Sequence, residues 1–190
     1  MTEKTISLVV GQGWTAAETA LVAAARQDPA AFGKLYDHYV QPLYRYILSR
    51  TGSVPEAEDI TAQTFLAALE ALDRYRHQGY FSAWLFSIAH NKMVAYFRKQ
   101  HRQVPLDSID QLPAVADLLQ QVSAGERSAA LQQIIRGLPA NDRELLRLRY
   151  VAELSFAEMA AFLGRSEPAT KKALYRLLGR LQSRLEESHA

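Results

Sequence analysis

The 190-residue chain contains no cysteine. Disulfides, cysteine-ligated zinc, iron–sulfur clusters and thiol catalysis are thereby excluded, and a reducing compartment fits. No apolar run approaches the roughly 18–20 residues of a membrane span. The stretch Ile6–Val10 is too short for a signal-peptide core and is broken at Gly11 and Gly13, so a cytoplasmic location is expected. There is no phosphate-binding loop of the glycine-lysine-serine/threonine type, and Gly11-Gln12-Gly13 lacks both a third glycine and a preceding strand. His38, His77, His90, His101 and His189 show none of the short spacings that put two metal ligands on one helix face. Glu56, Glu58 and Asp59 lie together where a helix begins, which the helix dipole and partner binding explain better than acid–base chemistry. No catalytic residue, metal site or cofactor is expected, and the chain does not read as an enzyme.

Hydrophobic residues make up 48% of the chain and charged residues 22%, enough apolar material for a packed core. The net charge of +2 conceals an alternation. From Glu56 to Asp73 every charge is negative. From Arg74 to Arg102 every one is positive: Arg74, Arg76, Lys92, Arg98, Lys99 and Arg102. Gln103–Glu126 is again purely acidic, and Arg165, Lys171, Lys172, Arg176, Arg180 and Arg184 face Glu167 alone before Glu186. Two basic patches separated by an acidic tether point to two contacts with nucleic acid. Solvated helices carrying charge blocks by chance are the plainer explanation, and the alternation weighs against it.

Strand signals are poor and helical ones strong. Asp28-Pro29 is a cap followed by proline at the first helical position, and Phe32, Leu35, Tyr36, Tyr39, Leu43 and Ile47 recur at helical spacing until Thr51-Gly52-Ser53. Ser53-Val54-Pro55-Glu56 has capping-box spacing and opens a second helix to about Tyr75. Its buried face is expected to be Phe65, Leu66, Leu69 and Leu72, with Asp59, Gln63 and Glu70 opposite. A break at Gln78-Gly79 precedes an aromatic-rich third helix, Phe81 to His101, and three helices with short joints make a bundle. Between Gln103 and Gly125, Pro105 and Pro113 interrupt the periodicity, leaving a tether with one turn around Leu118. A smaller helical unit follows: Arg127–Gly137, Asn141–Val151, a short helix opened by the capping-box spacing Ser155–Glu158, a turn at Leu163-Gly164-Arg165, and a helix capped by Ser166 that runs to about Glu186. The fold class is all-α: two small helical domains joined by a flexible linker, the second containing a helix-turn-helix. The expected divisions are an N-terminal extension 1–27, a bundle 28–102, the acidic linker 103–125 and the helix-turn-helix unit 126–187. The tether would leave the relative orientation of the domains variable.

Leu154–Leu178 has the layout of a helix-turn-helix: short capped helix, turn with glycine, basic helix. At 100° per residue Leu174, Leu177, Leu178 and Leu181 share one face, opposite Arg165, Ala169, Lys172 and Arg176. The leucines should pack on Met159, Phe162 and Leu163 and leave the basic face for a major groove, where arginines and lysines meet phosphates or base edges. An ordinary helical hairpin with a solvated basic face would look similar. The other basic stretch is interleaved with Tyr75, Tyr80, Phe81, Trp84, Phe86, Tyr96 and Phe97. Flat apolar surfaces beside positive charge suit unstacked bases. Core packing explains Trp84, Leu85 and Ile88 better, whereas Tyr80, Asn91, Tyr96 and Arg98 are the candidates for exposure.

These residues resemble bacterial sigma factors. Glu58-Asp59-Ile60-Thr61 with Phe65-Leu66, Ala71–Tyr75 and Phe81–Asn91 look like conserved region two. Leu138-Pro139 through Tyr150, then Leu154–Ala160 and Leu163–Ser166, look like region four. With no other sigma domain between them, the chain is similar to the extracytoplasmic-function (ECF) group from about Asp28 to Leu185. The resemblance implies a sigma factor that binds core RNA polymerase and directs promoter recognition and opening. Asp59, Gln63 and Phe65 would dock on the β′ clamp helices, and the β subunit would be a further contact. Tyr80, Asn91, Tyr96, Arg98 and Lys99 would meet the minus-ten element. Arg165, Ser166, Lys171, Lys172, Tyr175 and Arg176 would meet the minus-thirty-five element. The acidic tether would thread toward the polymerase active site and RNA exit path, and an anti-sigma factor would hold the protein inactive. The family often has Gln-Glu where Ala62-Gln63 stand, threonine and valine at Ala169 and Thr170, and arginine at Ala173, so no promoter sequence is carried over. The alternatives are a stand-alone helix-turn-helix regulator binding an operator as a dimer, or an adaptor using the bundle for protein contacts alone. Neither requires both an acidic second helix and two DNA surfaces.

Overall fold

A computed structural model describes residues 15–76, 80–101, 131 and 133–187. The tether 103–125, Arg102, the turn around Leu118, the break at Gln78-Gly79, His77 and the start of the helix expected from Arg127 lie outside the described residues. The described residues are mostly helical and include no strand. In chain order the helices are α1 (Thr15–Ala25), α2 (Pro29–Thr51), α3 (Val54–Ala71), α4 (Phe81–His101), α5 (Ala140–Leu146), α6 (Phe156–Leu163) and α7 (Glu167–Glu187). A 3₁₀ turn, Leu72–Arg74, follows α3, and a π turn, Arg147–Val151, follows α5.

Local chemistry sets most of the boundaries. Asp28 caps α2, its carboxylate accepting from the Ala30 N–H at 2.8 Å, and Pro29 occupies the first turn, where no N–H is needed. Gly52 ends α2 in the left-handed conformation at φ 68°, which costs a residue with a Cβ more than glycine. Ser155 and Glu158 form the reciprocal capping box expected from their spacing. Ser53 and Glu56 do not. The Ser53 hydroxyl meets the Glu56 carboxylate instead of a backbone N–H, so α3 starts without a side-chain cap. The expected Asn141–Val151 helix is α5 relaxed into the π turn, a widening that often marks a functional or strained site.

The first unit is built from aromatics. Tyr46, Phe81 and Phe86 are fully buried with Leu35, Leu43, Ile47 and Leu85, and Tyr75 packs edge-on and Trp84 at a tilt against Phe81. Within the expected N-terminal extension, residues 15–25 form α1 and pack on this unit. Helix α1 lies on α2, burying Val22, Ala25 and Glu18, whose carboxylate accepts from the Tyr39 hydroxyl. The buried stripe of α3 also differs from expectation. It runs Ala57, Ile60, Thr61, Thr64, Phe65, Ala68 and Leu72, while Leu66 and Leu69 are 58% and 47% exposed. Thr61 and Thr64 can be buried because their hydroxyls donate to the Ala57 and Ile60 carbonyls at 2.6 and 2.7 Å. With the threonines inside, the two leucines fall off the stripe.

The second unit is a leucine core: Leu145, Leu148, Met159, Leu174, Leu177 and Leu181 are buried. The units are not held apart. Helix α6 packs on α4, and the π turn packs on α2. In this structure hydroxyls and arginines of the first unit meet carboxylates of the second.

Candidate nucleic-acid interface

Three surfaces gather the residues singled out in the sequence. The first is the outer face of α3. Asp59 and Gln63 are exposed and paired, the Gln63 amide donating to Asp59 Oδ2 at 2.8 Å across one helical turn. Phe65 is not beside them. It is 5% exposed, its ring 4.7 Å from that of Tyr36, so it supports α3 from within and cannot itself present a docking surface. Leu66 and Leu69 are what stand next to Asp59 and Gln63. The sequence reading assigned them to the core because leucine outranks threonine in apolarity, and the i−4 hydroxyl bonds that reverse the ranking leave no trace in composition.

The second surface begins at a cleft of about 310 Å³ lined by Arg74, Tyr75, Arg76, Tyr80, Trp84 and Ser87. Arg26 Nη2 donates to the Tyr75 carbonyl at 2.5 Å, which ties the 3₁₀ turn to the end of α1. Burial pushes the Tyr75 phenol up to about 12, with Glu18 adding to the rise and Arg26 opposing it, so it stays a neutral hydrogen-bonding group. Tyr80 and Trp84 are half-buried. Seven residues beyond Trp84, two helical turns along the same face of α4, stands exposed Asn91; exposed Arg98 is two turns further. Lys99 is exposed alongside Arg98. Tyr96 is turned elsewhere: it packs on Phe97, and its hydroxyl accepts from Gln100 at 2.6 Å. Burial and the Glu56 carboxylate raise its pKa. Of the five residues expected at this surface, the structure aligns Tyr80, Asn91 and Arg98, sets Lys99 beside them and sends Tyr96 toward α3. Arg74 and Arg76 belong to the cleft and were visible in the sequence as cations flanking Tyr75.

The third surface is α7. All six expected residues, Arg165, Ser166, Lys171, Lys172, Tyr175 and Arg176, are exposed. Gly164 turns the chain between α6 and α7 at φ 63°, and Ser166 caps α7 by accepting from the Ala169 N–H at 3.4 Å. Leu174, Leu177 and Leu181 face inward, Leu177 wholly so. Lys171 with Tyr175 and Lys172 with Arg176 form two adjacent i,i+4 rows on the outside. Phe156 at the start of α6 extends the first row. Arg149 lies 4.7 Å over its ring and Lys171 5.9 Å, and Tyr175 completes the stack at 6.1 Å. Arg149 is held by the Leu154 carbonyl at 2.9 Å. The π turn thus delivers a cation to the rim of the basic face, a placement that no spacing rule announces. Among the described residues no cluster of histidines and carboxylates has the geometry of a metal site.

Comparison with known proteins identifies the family. Residues 35–103 match the family described as Sigma-70 region 2, and residues 128–181 match Sigma-70, region 4, together well over half of the chain. An all-helical protein with these regions in this order is a sigma factor of the sigma-70 type. The chain is 36% identical over 165 residues to the ECF RNA polymerase sigma factor BldN of Streptomyces coelicolor, covering 82% of this chain and 61% of that one. It is 31% identical over 155 residues to the ECF sigma factor SigM of Bacillus subtilis, covering 79% of this chain and 92% of that protein. The structure of CnrH in complex with the cytosolic domain of CnrY aligns with a TM-score of 0.63 at 27% identity, over 90% of this chain and 98% of that one. The chain belongs to the extracytoplasmic-function sigma factors. No helix among the described residues is long and apolar enough to cross a membrane.

Proposed function

We propose that the protein binds core RNA polymerase in the cytoplasm and directs it to promoters, with no catalytic activity of its own. The observation that carries this reading is the presence, in one chain, of two basic surfaces of unlike construction. On α7 the cations are exposed along one helix, which suits phosphates and base edges of intact duplex in the minus-thirty-five element. Around α4 the cations border half-buried aromatic rings, which suits bases that have left the stack in the minus-ten element. Asn91, uncharged and exposed beyond the cleft, offers an unpaired base both a donor and an acceptor.

The outer face of α3, with Asp59, Gln63, Leu66 and Leu69, is the surface we assign to the β′ clamp helices. Apolar side chains ringed by polar ones are the usual make-up of a protein interface. Phe65 acts there only by holding α3 in place. A further contact with the β subunit is assigned to the second unit. CnrH is seen in complex with the cytosolic domain of CnrY, which supports a protein partner for this chain as well, and we assign that place to an anti-sigma factor.

Run-off transcription with purified core polymerase, on templates selected from a randomised promoter library, tests the proposal. A transcript that requires both core and this chain is the expected result. Tight footprinting of an operator without core, and no transcript with it, would instead indicate a stand-alone regulator.

A further inference from the structure

The aromatic nucleus behind the cleft is anchored from α1. Phe81, at the start of α4, is wholly buried with two tyrosine rings against it, Tyr39 at 5.6 Å and Tyr75 at 5.7 Å, and Trp84 follows at 5.4 Å. The Tyr39 hydroxyl donates to buried Glu18 of α1. Tyr75 is held through its backbone on both sides. Its N–H closes the 3₁₀ turn on the Ala71 and Leu72 carbonyls, each at 3.1 Å, and its carbonyl takes the Arg26 guanidinium at 2.5 Å. Arg26 is placed by the end of α1, where the Gln27 and Asp28 N–H groups return to the Ala24 carbonyl at 3.0 and 2.9 Å.

We propose that Arg26 is a positioning residue for the minus-ten cleft: by holding the Tyr75 carbonyl it fixes the turn that carries Arg74 and Arg76, without meeting nucleic acid itself. The inference rests on the promoter reading above. Its first argument is placement. Arg74, Tyr75 and Arg76 are consecutive and all line the cleft, whereas Arg26 is not among the lining residues. Both lining arginines are exposed, so the backbone between them decides where their side chains start. The second argument is strength. A guanidinium on a carbonyl is charge-assisted and roughly twice as strong as a neutral pair. It spans 49 residues of sequence, and so ties α1 to a turn that α3 alone would hold only by its N–H.

The third argument is energetic. A turn pinned in advance needs no ordering when a base arrives. Without the pin, part of the free energy of base capture goes into ordering the turn. The penalty falls on the step at which a base enters the cleft, and it leaves α7 and the outer face of α3 as they are. Loss of the Arg26 side chain does not release α1, which Val22, Ala25 and the bond from Tyr39 to Glu18 still hold on α2. Arg26 differs in this from Lys172 and Arg176. A lost phosphate contact makes binding less dependent on salt, whereas a lost positioning contact leaves that dependence unchanged.

The variant that tests this is Arg26→Met, which keeps an unbranched side chain and removes the charge and the donors. Hydrogen exchange on the free full-length chain should show the amides of residues 72–76 exchanging about tenfold faster, with α2 and the interior of α4 unchanged. In the holoenzyme, on a template selected as above, permanganate reactivity of the melted strand should fall about tenfold. Closed complexes should form normally and keep the salt dependence of the unmodified chain. Unchanged exchange at 72–76, faster exchange spread through α2 and α4, or normal promoter opening would overturn the proposal. So would a salt slope shallower by about one, the mark of a lost phosphate contact. Run-off transcription with the unmodified chain is scored separately: no core-dependent transcript refutes the promoter reading, while hydrogen exchange still decides whether Arg26 holds the turn.

Discussion

The two units solve one problem, presenting positive charge on a helical scaffold, in opposite ways. In the second, leucines fill the core and the basic helix α7 is divided cleanly, with Leu174, Leu177 and Leu181 inside and every expected contact residue outside. In the first, aromatics serve as both core and surface. Phe81 and Phe86 are wholly buried, and Trp84 and Tyr80 are half-buried at the cleft. A duplex offers a rigid exterior that a flat basic face can meet, whereas an unstacked base needs a recess lined with rings. The division between core and site is therefore sharp in one unit and graded in the other.

The strongest way to break this comparison is through the cores. Phe86→Ala should destabilise the chain by about 3–5 kcal/mol, since a fully buried ring leaves a cavity, and Leu177→Ala by about 2–5 kcal/mol. Urea denaturation measures both. Equal, small losses would mean that neither core is packed as described.

Next come the surfaces. Lys172→Ala and Arg176→Ala should each weaken binding to minus-thirty-five duplex by about 1–3 kcal/mol, read by electrophoretic shift of the polymerase–promoter complex, and extra protein should partly restore transcription. Asn91→Ala removes no charge, so closed complexes should form near normally while permanganate reactivity of the melted strand falls and a pre-melted template rescues it. Equal recruitment defects in all three, without rescue, would erase the proposed division between duplex and single-strand contacts.

On α3 the comparison narrows to adjacent residues. Leu66→Ser and Leu69→Ser should leave stability within about 0.5 kcal/mol, as exposed positions do, yet reduce core-polymerase affinity by about 1–2 kcal/mol each in fluorescence anisotropy. Phe65→Ala should do the reverse, lowering the melting temperature first and affinity only through lost structure.

The smallest effect is that of pH. Burial lowers the pKa of His38, with the Glu158 carboxylate partly opposing the shift. A histidine whose folded pKa lies below its unfolded value of about 6.5 contributes fully above that pH, and its contribution is lost as pH falls through the unfolded and then the folded pKa. The melting temperature should therefore drop slightly between pH 7 and pH 5, and less in His38→Gln, as followed by circular dichroism.

The helices and the basic face of α7 were legible because they rest on short-range rules. Asp28-Pro29 and Ser155–Glu158 act over a few residues, and the leucine period of α7 needs only one partner surface. Where Ser53 and Glu56 share the same spacing, the hydroxyl chose the side chain over the backbone, a competition between two local bonds that spacing does not rank. Phe65 and Leu66 show the same limit at tertiary range. Both are apolar, neighbouring and on the helix chosen for docking, and which one faces inward was settled by Tyr36 on α2 and by threonines able to satisfy themselves.

What the sequence determined alone was most of the helices and their order, the absence of thiol chemistry, and two basic stretches of unlike composition, because caps, periodicity and charge are properties of consecutive residues. Which aromatics are recess and which are core, where Arg149 stands, and that α6 lies on α4 were decided only in three dimensions. Each depends on whether a buried polar atom finds its partner across the chain: Glu144 meets Tyr46 and Arg50 nearly a hundred residues away, and Glu158 meets Ser82. Nothing in local spacing encodes such a meeting, since its free energy exists only once both groups have left water together.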